Sequence, residues 1–365
     1  MRYILLYSFN KTQPLYLYIY ISMVYNILLL YYNVTSIYWY AVDIYTQLSK
    51  YENCSISLKH MRFVSRDTLL EYAAIIPIDV TSQIFYNSLK ISPFYTTTPN
   101  MYSLLNNKSD CYHITKNYKH IQHIPTLDVF TKALIKGFIK SHPSDKYIIK
   151  HNTGYASFFQ IIVTKSKLTH INLKSLQGHI IQPYYTNYKV YSLDVVAHSG
   201  KIYGEIFKKT LGRNGINYID FIISSIDTTI IKDGPLYRPI KAFSKSLLSD
   251  INYSGICELE FIVTNDNMIY FLEINTRISG HIGQINKYGQ NAYFNNIIIP
   301  HLSFYNIALP PQIMLSNNYT GSSLRHLLPR IYAINPALFI SIAIIYYYIS
   351  FIVIKKLYNL YSSKR

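Results

Sequence analysis

The chain has 365 residues, a length sufficient for two or three domains that each bury a core. Half of the residues are hydrophobic and the mean hydropathy is +0.08, which excludes both a disordered chain and a polytopic membrane protein. The formal net charge is +17, but lysines and arginines are scattered singly or in pairs such as Lys208-Lys209, without a zinc-finger spacing or an arginine–aromatic motif. Nucleic acid is therefore disfavoured as the main partner, and an anionic small ligand or a membrane surface is favoured.

The three cysteines, Cys54, Cys111 and Cys257, are odd in number and far apart in the chain. They form no C-x-x-C pair, so the sequence encodes neither a disulfide framework nor a zinc site. We interpret them as ordinary thiols in a reducing compartment, and we expect the folded part of the protein to be cytoplasmic.

The N-terminal region predicts a β-α-β unit. Residues 3–7 have the composition of a short buried strand, and residues 14–25 predict a helix with a proline in its first turn. Residues 27–31 predict a second strand that is apolar on both faces, as in a parallel sheet covered by helices on both sides. The alternative is that the apolar run at residues 15–32 forms a membrane-spanning helix.

From residue 61 the pattern is that of an ordinary α/β protein. Residues 73–78 predict a short strand, and residues 79–89 predict a helix with Asp79 as its cap. Helical spacing also occurs over residues 106–118 and 131–139, with an extended turn at 123–126 between them. Strands then dominate, over residues 147–150, 158–163, 179–183, 191–196, 201–206 and 218–223.

Residues 258–275 predict a β-hairpin with two carboxylates facing each other. Charged and apolar residues alternate on both sides of a polar turn at 264–267. A turn symmetric about its centre places Glu260 opposite Glu273 and Glu258 opposite Asn275. Directly opposed residues have Cβ atoms about 4.5–5.5 Å apart, so two facing carboxylates are unfavourable unless a cation lies between them.

These oxygen ligands suit Mg²⁺ (or Mn²⁺), which takes few protein ligands and completes its coordination with phosphate oxygens and water. We therefore predict that Glu260, Glu273 and Asn275 bind the metal. Arg277 continues the same face of the strand and is predicted to stabilise charge on a transferring phosphoryl group. The alternative, a solvated acidic face, is disfavoured because Phe261 and its apolar neighbours imply a packed sheet.

Residues 100–300 resemble the ATP-grasp superfamily, which includes biotin carboxylase, the large chain of carbamoyl-phosphate synthase and many carboxylate–amine ligases. Glu260-Phe261 and the run at residues 273–277 match the E-F and E-x-N-x-R metal motifs of the family. Further segments resemble family elements in the family's order, at residues 107–110, 124–126, 147–150, 151–157, 180–185 and 192–195.

The resemblance implies roles for the remaining site residues. Lys108 and Lys150 would contact nucleotide phosphates. A lysine within an apolar strand, as Lys150 is, independently indicates a bound anion, because an unpaired buried charge is costly. The other implied nucleotide-binding residues are Gly154 and Ser157 in the glycine-rich loop, and Gln182 and Tyr184 in the hinge strand at adenine.

The resemblance implies an ATP-dependent ligase with ATP and Mg²⁺ as cofactors, acting through an acyl phosphate on a carboxylate and an amine that the sequence does not identify. The chain departs from the family in three places. Gly154 is the single glycine of its loop, His151 replaces a common proline, and no acidic residue stands near Lys189 to hold the ribose. These departures favour an alternative, a nucleotide-binding module without turnover that acts as a membrane-tethered regulatory or interaction protein.

The expected fold class is α/β (α+β), an ATP-grasp fold preceded by a small Rossmann-like β-α-β domain and followed by a hydrophobic C-terminal helix. The predicted domains are residues 1–98, 99–315 and 316–365. Residues 337–354 are uncharged and followed by lysines, and as a helix they would be about 27 Å long, close to the thickness of a bilayer core. They predict a transmembrane anchor, and the alternative is a C-terminal helix buried against the domain.

Overall fold

The computed structural model describes residues 2–4, 20–22, 24–31, 41–51, 53–89, 99–153, 160–211, 227–230, 235–280, 282, 285, 292–305 and 307. By its internal contacts the chain divides into Met1–Pro310 and Pro311–Arg365, and all described residues belong to the first unit. The predicted helix at 337–354 and the predicted boundary at 315 lie outside these residues and stay predictions. Within the described ranges, no helix combines the length and the hydropathy needed to cross a bilayer.

The described strands are β1 (Arg2–Ile4), β2 (Tyr20–Ser22), β3 (Tyr25–Tyr31), β4 (Cys54–His60), β5 (Ala74–Pro77), β6 (Gln122–His123), β7 (Lys146–His151), β8 (Ile161–Thr164), β9 (His179–Pro183), β10 (Lys189–His198), β11 (Lys201–Leu211), β12 (Asp227–Ile230), β13 (Gly255–Val263) and β14 (Ile269–Asn275). The described α-helices are α1 (Val42–Leu48), α2 (Arg66–Leu70), α3 (Val80–Ser88), α4 (Pro99–Asn106), α5 (Lys108–Thr115), α6 (Lys132–Ser141), α7 (Lys165–Thr169), α8 (Tyr237–Asp250) and α9 (Ile299–Ser303). Most predicted elements from residue 73 onwards are confirmed, and the strand predicted at 218–223 lies outside the described residues.

The N-terminal segment differs from the prediction. Strands β1 and β2 pair antiparallel, with Tyr3 opposite Ile21, so the helix predicted over residues 14–25 is wrong at residues 20–22. Strands β2 and β3 also exclude a membrane helix over residues 15–32. Tyrosine alternates with leucine and isoleucine in this run, and aromatic and β-branched side chains favour extended backbone.

A three-stranded parallel sheet forms the N-terminal part of the described fold, in the order β4-β3-β5. Helix α1 lies between β3 and β4, so a β-α-β unit is present, but it begins at the strand where the predicted unit ends, and the predicted bounds of the unit are wrong. Residues 27–30 of β3 are fully buried, with Ile27 and Leu29 packed in one core cluster and Leu28 and Leu30 in another. Burial on both faces explains why this strand is apolar throughout.

The central sheet has six strands in the order β12-β11-β10-β13-β14-β6, all antiparallel except the β14–β6 pair. One face packs on α8, where the Phe243 ring contacts those of Phe261 and Phe271. Because side chains alternate along β13, Glu258 and Glu260 lie on the opposite face. The sheet thus holds the carboxylates on a rigid, well-packed support.

A smaller antiparallel sheet, ordered β8-β7-β9, supplies the other side of the candidate site. Tyr147, Ile149 and Ile181 pack in a core cluster with residues of α6. The alternate positions, Lys150 on β7 and Gln182 on β9, therefore lie on the face away from α6.

Gly204 on β11 tests how closely the core is packed. A Cβ at this position would lie 1.8 Å from the carbonyl oxygen of Asn296, in the π-helical turn Phe294–Ile298. We expect Gly204→Ala to lower the free energy of unfolding by about 3 kcal/mol, because backbone must move to relieve the overlap. The measurement is the urea midpoint of unfolding.

Gly137→Ala is the matched control. Gly137 lies in α6, and apart from its chain neighbours and the backbone of its own helix no atom lies within 4 Å of an added Cβ. Alanine there should stabilise the helix by up to about 1 kcal/mol, because it loses less backbone entropy than glycine. Equal midpoints for the two variants would contradict the close packing at Gly204.

Candidate metal and nucleotide site

The two carboxylates occupy opposed positions on neighbouring strands. Glu260 lies opposite Glu273 and Glu258 opposite Asn275, so both predicted pairs are confirmed, although the turn is not symmetric as predicted because Phe261 pairs with Phe271. The pairing shifts by one residue immediately afterwards, between Glu260 and Phe261. A bulge of this kind bends the strand locally and re-aims its side chains.

The environments of the two opposed carboxylates differ. Burial and the neighbouring Glu258 and Glu273 raise the pKa of Glu260 well above its usual value. Burial also acts to raise the pKa of Glu273, but the ammonium groups of Lys108 and Lys150 outweigh it and hold the pKa below its usual value. The ionised form of Glu260 is therefore disfavoured in the free protein, and a bound cation would stabilise it.

The donor set fits a hard divalent cation. The Asn275 amide donates a hydrogen bond of 3.1 Å to Glu260 Oε1, and its own carbonyl oxygen is a suitable metal ligand. Across the described part of the chain, no group of three or more Asp, Glu, His or Cys side chains is arranged to hold a metal. A cation here would be held by two carboxylates, one amide oxygen and oxygens from outside the protein, as Mg²⁺ commonly is.

Lys108 begins helix α5 beside this hairpin. The Asn107 side chain caps the helix by accepting hydrogen bonds from two backbone N–H groups, at 3.0 and 3.2 Å. Lys108 Nζ lies 3.4 Å from Glu273 Oε2, and its backbone N–H donates to the carbonyl of Asn152, just after β7. This residue therefore contacts both sides of the candidate site.

Lys150 is a buried cation whose position fits an anionic ligand. Burial lowers its pKa to about 8, opposed by Glu273 and Glu260 and assisted by Lys108. Two ammonium groups and two carboxylates thus lie within electrostatic range of one another. A lysine with a lowered pKa is stabilised in its charged form by an added anion such as phosphate.

Gln182 is buried and held in a defined orientation. Its Nε2 donates to Thr126 Oγ1 at 2.8 Å, and the Thr126 hydroxyl donates to the carbonyl of Ile124 at 2.9 Å. Gln182 Oε1 is buried and accepts no hydrogen bond from the described residues. A buried acceptor of this kind fits a ligand that brings a hydrogen-bond donor.

Of the remaining predicted site residues, two are described by the structure and two are not. Tyr184 is half-buried, its backbone N–H donates to the Lys146 carbonyl at 2.9 Å, and its side chain lines an open groove with Lys146 and Lys165. Gly154 and Ser157 lie outside the described residues. Arg277 follows β14, and its Nη1 donates to the Ile278 carbonyl at 3.0 Å and lies 3.9 Å from Glu258 Oε2.

Sequence reasoning missed a buried ionic cluster beside the site. Lys208 Nζ donates to Asp194 Oδ2, Glu258 Oε1 and Ser279 Oγ at 2.6, 2.7 and 2.6 Å. Burial acts to lower the pKa of Lys208, but Asp194 and Glu258 outweigh it and raise the pKa, so the ammonium stays charged. The available signal was a lysine and an aspartate on strands that are otherwise apolar toward their cores.

Comparisons with known proteins agree with this geometry. Residues 229–282, which include β13 and β14, match the family model described as carbamoyl-phosphate synthase L chain, ATP binding domain. No curated protein sequence matches significantly. Among solved structures, the complex of N5-carboxyaminoimidazole synthetase from Staphylococcus aureus with ADP matches with a TM-score of 0.58 and 13% identity, over 79% of both chains. The chain has the ATP-grasp fold.

Two other ligase-type structures support this assignment of the ATP-grasp fold. D-alanine–D-alanine ligase from Bacillus anthracis matches with a TM-score of 0.53 and 14% identity, over 78% of this chain and 99% of that one. Biotin carboxylase from Campylobacter jejuni matches with a TM-score of 0.53 and 16% identity, over 80% of this chain and 73% of that one. The predicted resemblance and α/β class are confirmed, whereas the chemistry rests on the site residues.

The lowered pKa of Lys150 gives a measurable signature. Near pH 8.5 the free protein holds Lys150 mostly neutral, and an added polyphosphate raises its pKa. We therefore expect Mg²⁺-free ADP to bind at pH 8.5 with uptake of roughly half a proton. Calorimetry in two buffers of different ionisation enthalpy measures this uptake.

Lys150→Met should reduce the proton uptake, because a methionine side chain cannot take up a proton when the anion binds. Lys146→Met is the control, since Lys146 lies on the same strand and is exposed. Proton uptake that persists unchanged in Lys150→Met would show that another group binds the anion.

Proposed function

We propose that this protein is an ATP-dependent ligase that activates a carboxylate as an acyl phosphate and joins it to an amine or related nucleophile. One observation carries the proposal: the facing carboxylates of Glu260 and Glu273 lie next to Lys108 and the buried Lys150. The carboxylates fit a cation and the lysines fit an anion, and the magnesium complex of ATP presents both. The names of the matched structures, two synthetases or ligases and a carboxylase, agree with this chemistry.

Glu260, Glu273 and Asn275 would hold Mg²⁺ (or Mn²⁺), which when bound supplies charge neutralisation between the phosphates. Lys108 and Lys150 would neutralise phosphate oxygens. These contributions are positional and electrostatic, which is what phosphoryl transfer requires of a protein.

The adenine would lie at Gln182 and Tyr184, where the free Gln182 Oε1 accepts from the exocyclic amino group. The predicted loop residues Gly154 and Ser157 would contribute backbone donors to the phosphates. In the first step a substrate carboxylate oxygen attacks the γ-phosphorus and ADP departs. In the second the nucleophile attacks the acyl carbon, phosphate departs, and the proton lost by the nucleophile is taken up by the released phosphate. Arg277 would stabilise the charge on the phosphoryl group that is transferred in the first step.

A second candidate is a nucleotide-binding module without turnover, tethered to a membrane by residues 337–354. Two features of the sequence favour it. Gly154 is the single glycine of the loop at 151–157, and no acidic residue that could hold the ribose stands near Lys189. Both candidates bind the nucleotide, so only product formation separates them.

Nucleotide-dependent stabilisation of the full chain tests the shared site. Magnesium ADP at a hundred times its Kd should stabilise the protein by about 2.7 kcal/mol, measured as a thermal shift. Glu273→Gln and Lys150→Met should each reduce this shift, because each removes one of the opposed charges. Glu205→Gln, which removes a carboxylate bonded to Tyr237 and Lys241 elsewhere on the sheet, should retain it.

The absence of any shift in the parent protein, or equal shifts in all four proteins, would contradict the proposed nucleotide site. Release of ADP from ATP, measured against a panel of carboxylates and amines, then distinguishes the ligase from the nucleotide-binding module without turnover. Turnover that depends on one carboxylate and one amine identifies the ligase, and binding without turnover identifies the module.

A further inference from the structure

Asp194, Lys208, Glu258 and Ser279 form what we call the Lys208 cluster. Its members come from β10, β11, β13 and the segment after β14, and their side chains are almost completely buried. Lys208 Nζ makes three short contacts of 2.6–2.7 Å, and Ser279 Oγ also donates to Glu258 Oε1 at 3.2 Å. The backbone N–H of Ser279 in turn donates to the buried Tyr293 hydroxyl at 3.1 Å.

Stability alone does not account for this cluster. A buried ion pair contributes little net stability, because the loss of hydration offsets much of the attraction. On the other face the same three strands are held by apolar side chains, including Leu193, Phe207 and Leu259. The ionic cluster occurs on the face that carries the candidate metal site, which points to a positional role.

The position of Glu258 shows what that role is. It lies on the same strand face as Glu260, two residues away, and opposite the predicted metal ligand Asn275. A carboxylate at position 258 is therefore the next side chain to Glu260 on this face of β13. Its oxygens are instead directed to Lys208 and Ser279 through Oε1, and toward Arg277 through Oε2.

We infer that Lys208, held by Asp194 and Ser279, is a positioning residue that fixes Glu258 as the carboxylate partner of Arg277. The same contacts keep Glu258 from acting as a fourth metal ligand. The catalytic meaning of Arg277 rests on the proposed function, whereas the geometry of the cluster does not.

The arrangement constrains Arg277 from one side. Its Nη1 lies between the Ile278 carbonyl at 3.0 Å and Glu258 Oε2 at 3.9 Å. Because the guanidinium is planar and rigid, two contacts to one of its nitrogens restrict the orientations that the whole group can adopt. A shift of Glu258 would remove one of these two restraints.

The side-chain NMR signal of Arg277 Nε–Hε, assigned by its loss in Arg277→Lys, tests the inference without requiring activity. Lys208→Met and Ser279→Ala should shift or broaden this signal. Ser279→Ala keeps the test valid if Lys208→Met does not fold. Glu205→Gln is the control, because it removes a lysine-bonded carboxylate from the same strand as Lys208. A signal unchanged in Ser279→Ala and in folded Lys208→Met overturns the inference.

Metal titration tests the second half of the inference. With ADP present, Glu258→Gln should bind Mn²⁺ within about twofold of the parent affinity, whereas Glu260→Gln should lose at least about tenfold. Equal losses in the two variants would make Glu258 a metal ligand and overturn the inference. If the parent binds no Mn²⁺ with ADP, the proposed function fails, and the Arg277 signal still decides the positioning role.

Discussion

The repulsion between Glu260 and Glu273 is the constraint around which this part of the molecule is arranged. Two carboxylates on directly opposed strand positions destabilise a hairpin unless opposite charge compensates them. Lys108 and Lys150 compensate Glu273, whereas burial and the neighbouring carboxylates disfavour the ionised form of Glu260. Packing on the other face of the hairpin offsets the unfavourable energy of the opposed carboxylates, because the Phe243 ring contacts Phe261 on β13 and Phe271 on β14.

The features that the sequence predicts well are those set by short-range rules. The pairing of Glu260 with Glu273 is predicted from the position of one polar turn, and alternation then puts Phe261 and Ile274 on the packed face. The pairs nearer the turn are offset by one residue from a symmetric hairpin, and the bulge after Glu260 restores the predicted pairing. Helix α5 is equally local, because Asn107 caps its first turn within three residues. In these places each residue's neighbours along the chain are also its neighbours in space.

The features that the sequence does not predict depend on contacts between distant segments. The Lys208 cluster joins residues as far apart as Asp194 and Ser279, so no spacing rule identifies it. The N-terminal error has a different cause. Apolar periodicity does not separate a short strand from a helix, and at residues 20–22 the pairing with β1 decides in favour of the strand. The fold class can therefore be predicted from sequence motifs, whereas the arrangement of the side chains beside the site cannot.

Lys108 links the two sheets through separate parts of one residue. Its backbone N–H donates to Asn152, next to the smaller sheet, while its ammonium group lies against Glu273 on the central sheet. A displacement of Asn152 away from the central sheet would therefore also act on the start of α5 and on the ammonium group attached there. Separation of the two sheets and loss of charge compensation at Glu273 are consequently linked, and the carboxylate left without Lys108 would attract a cation more strongly.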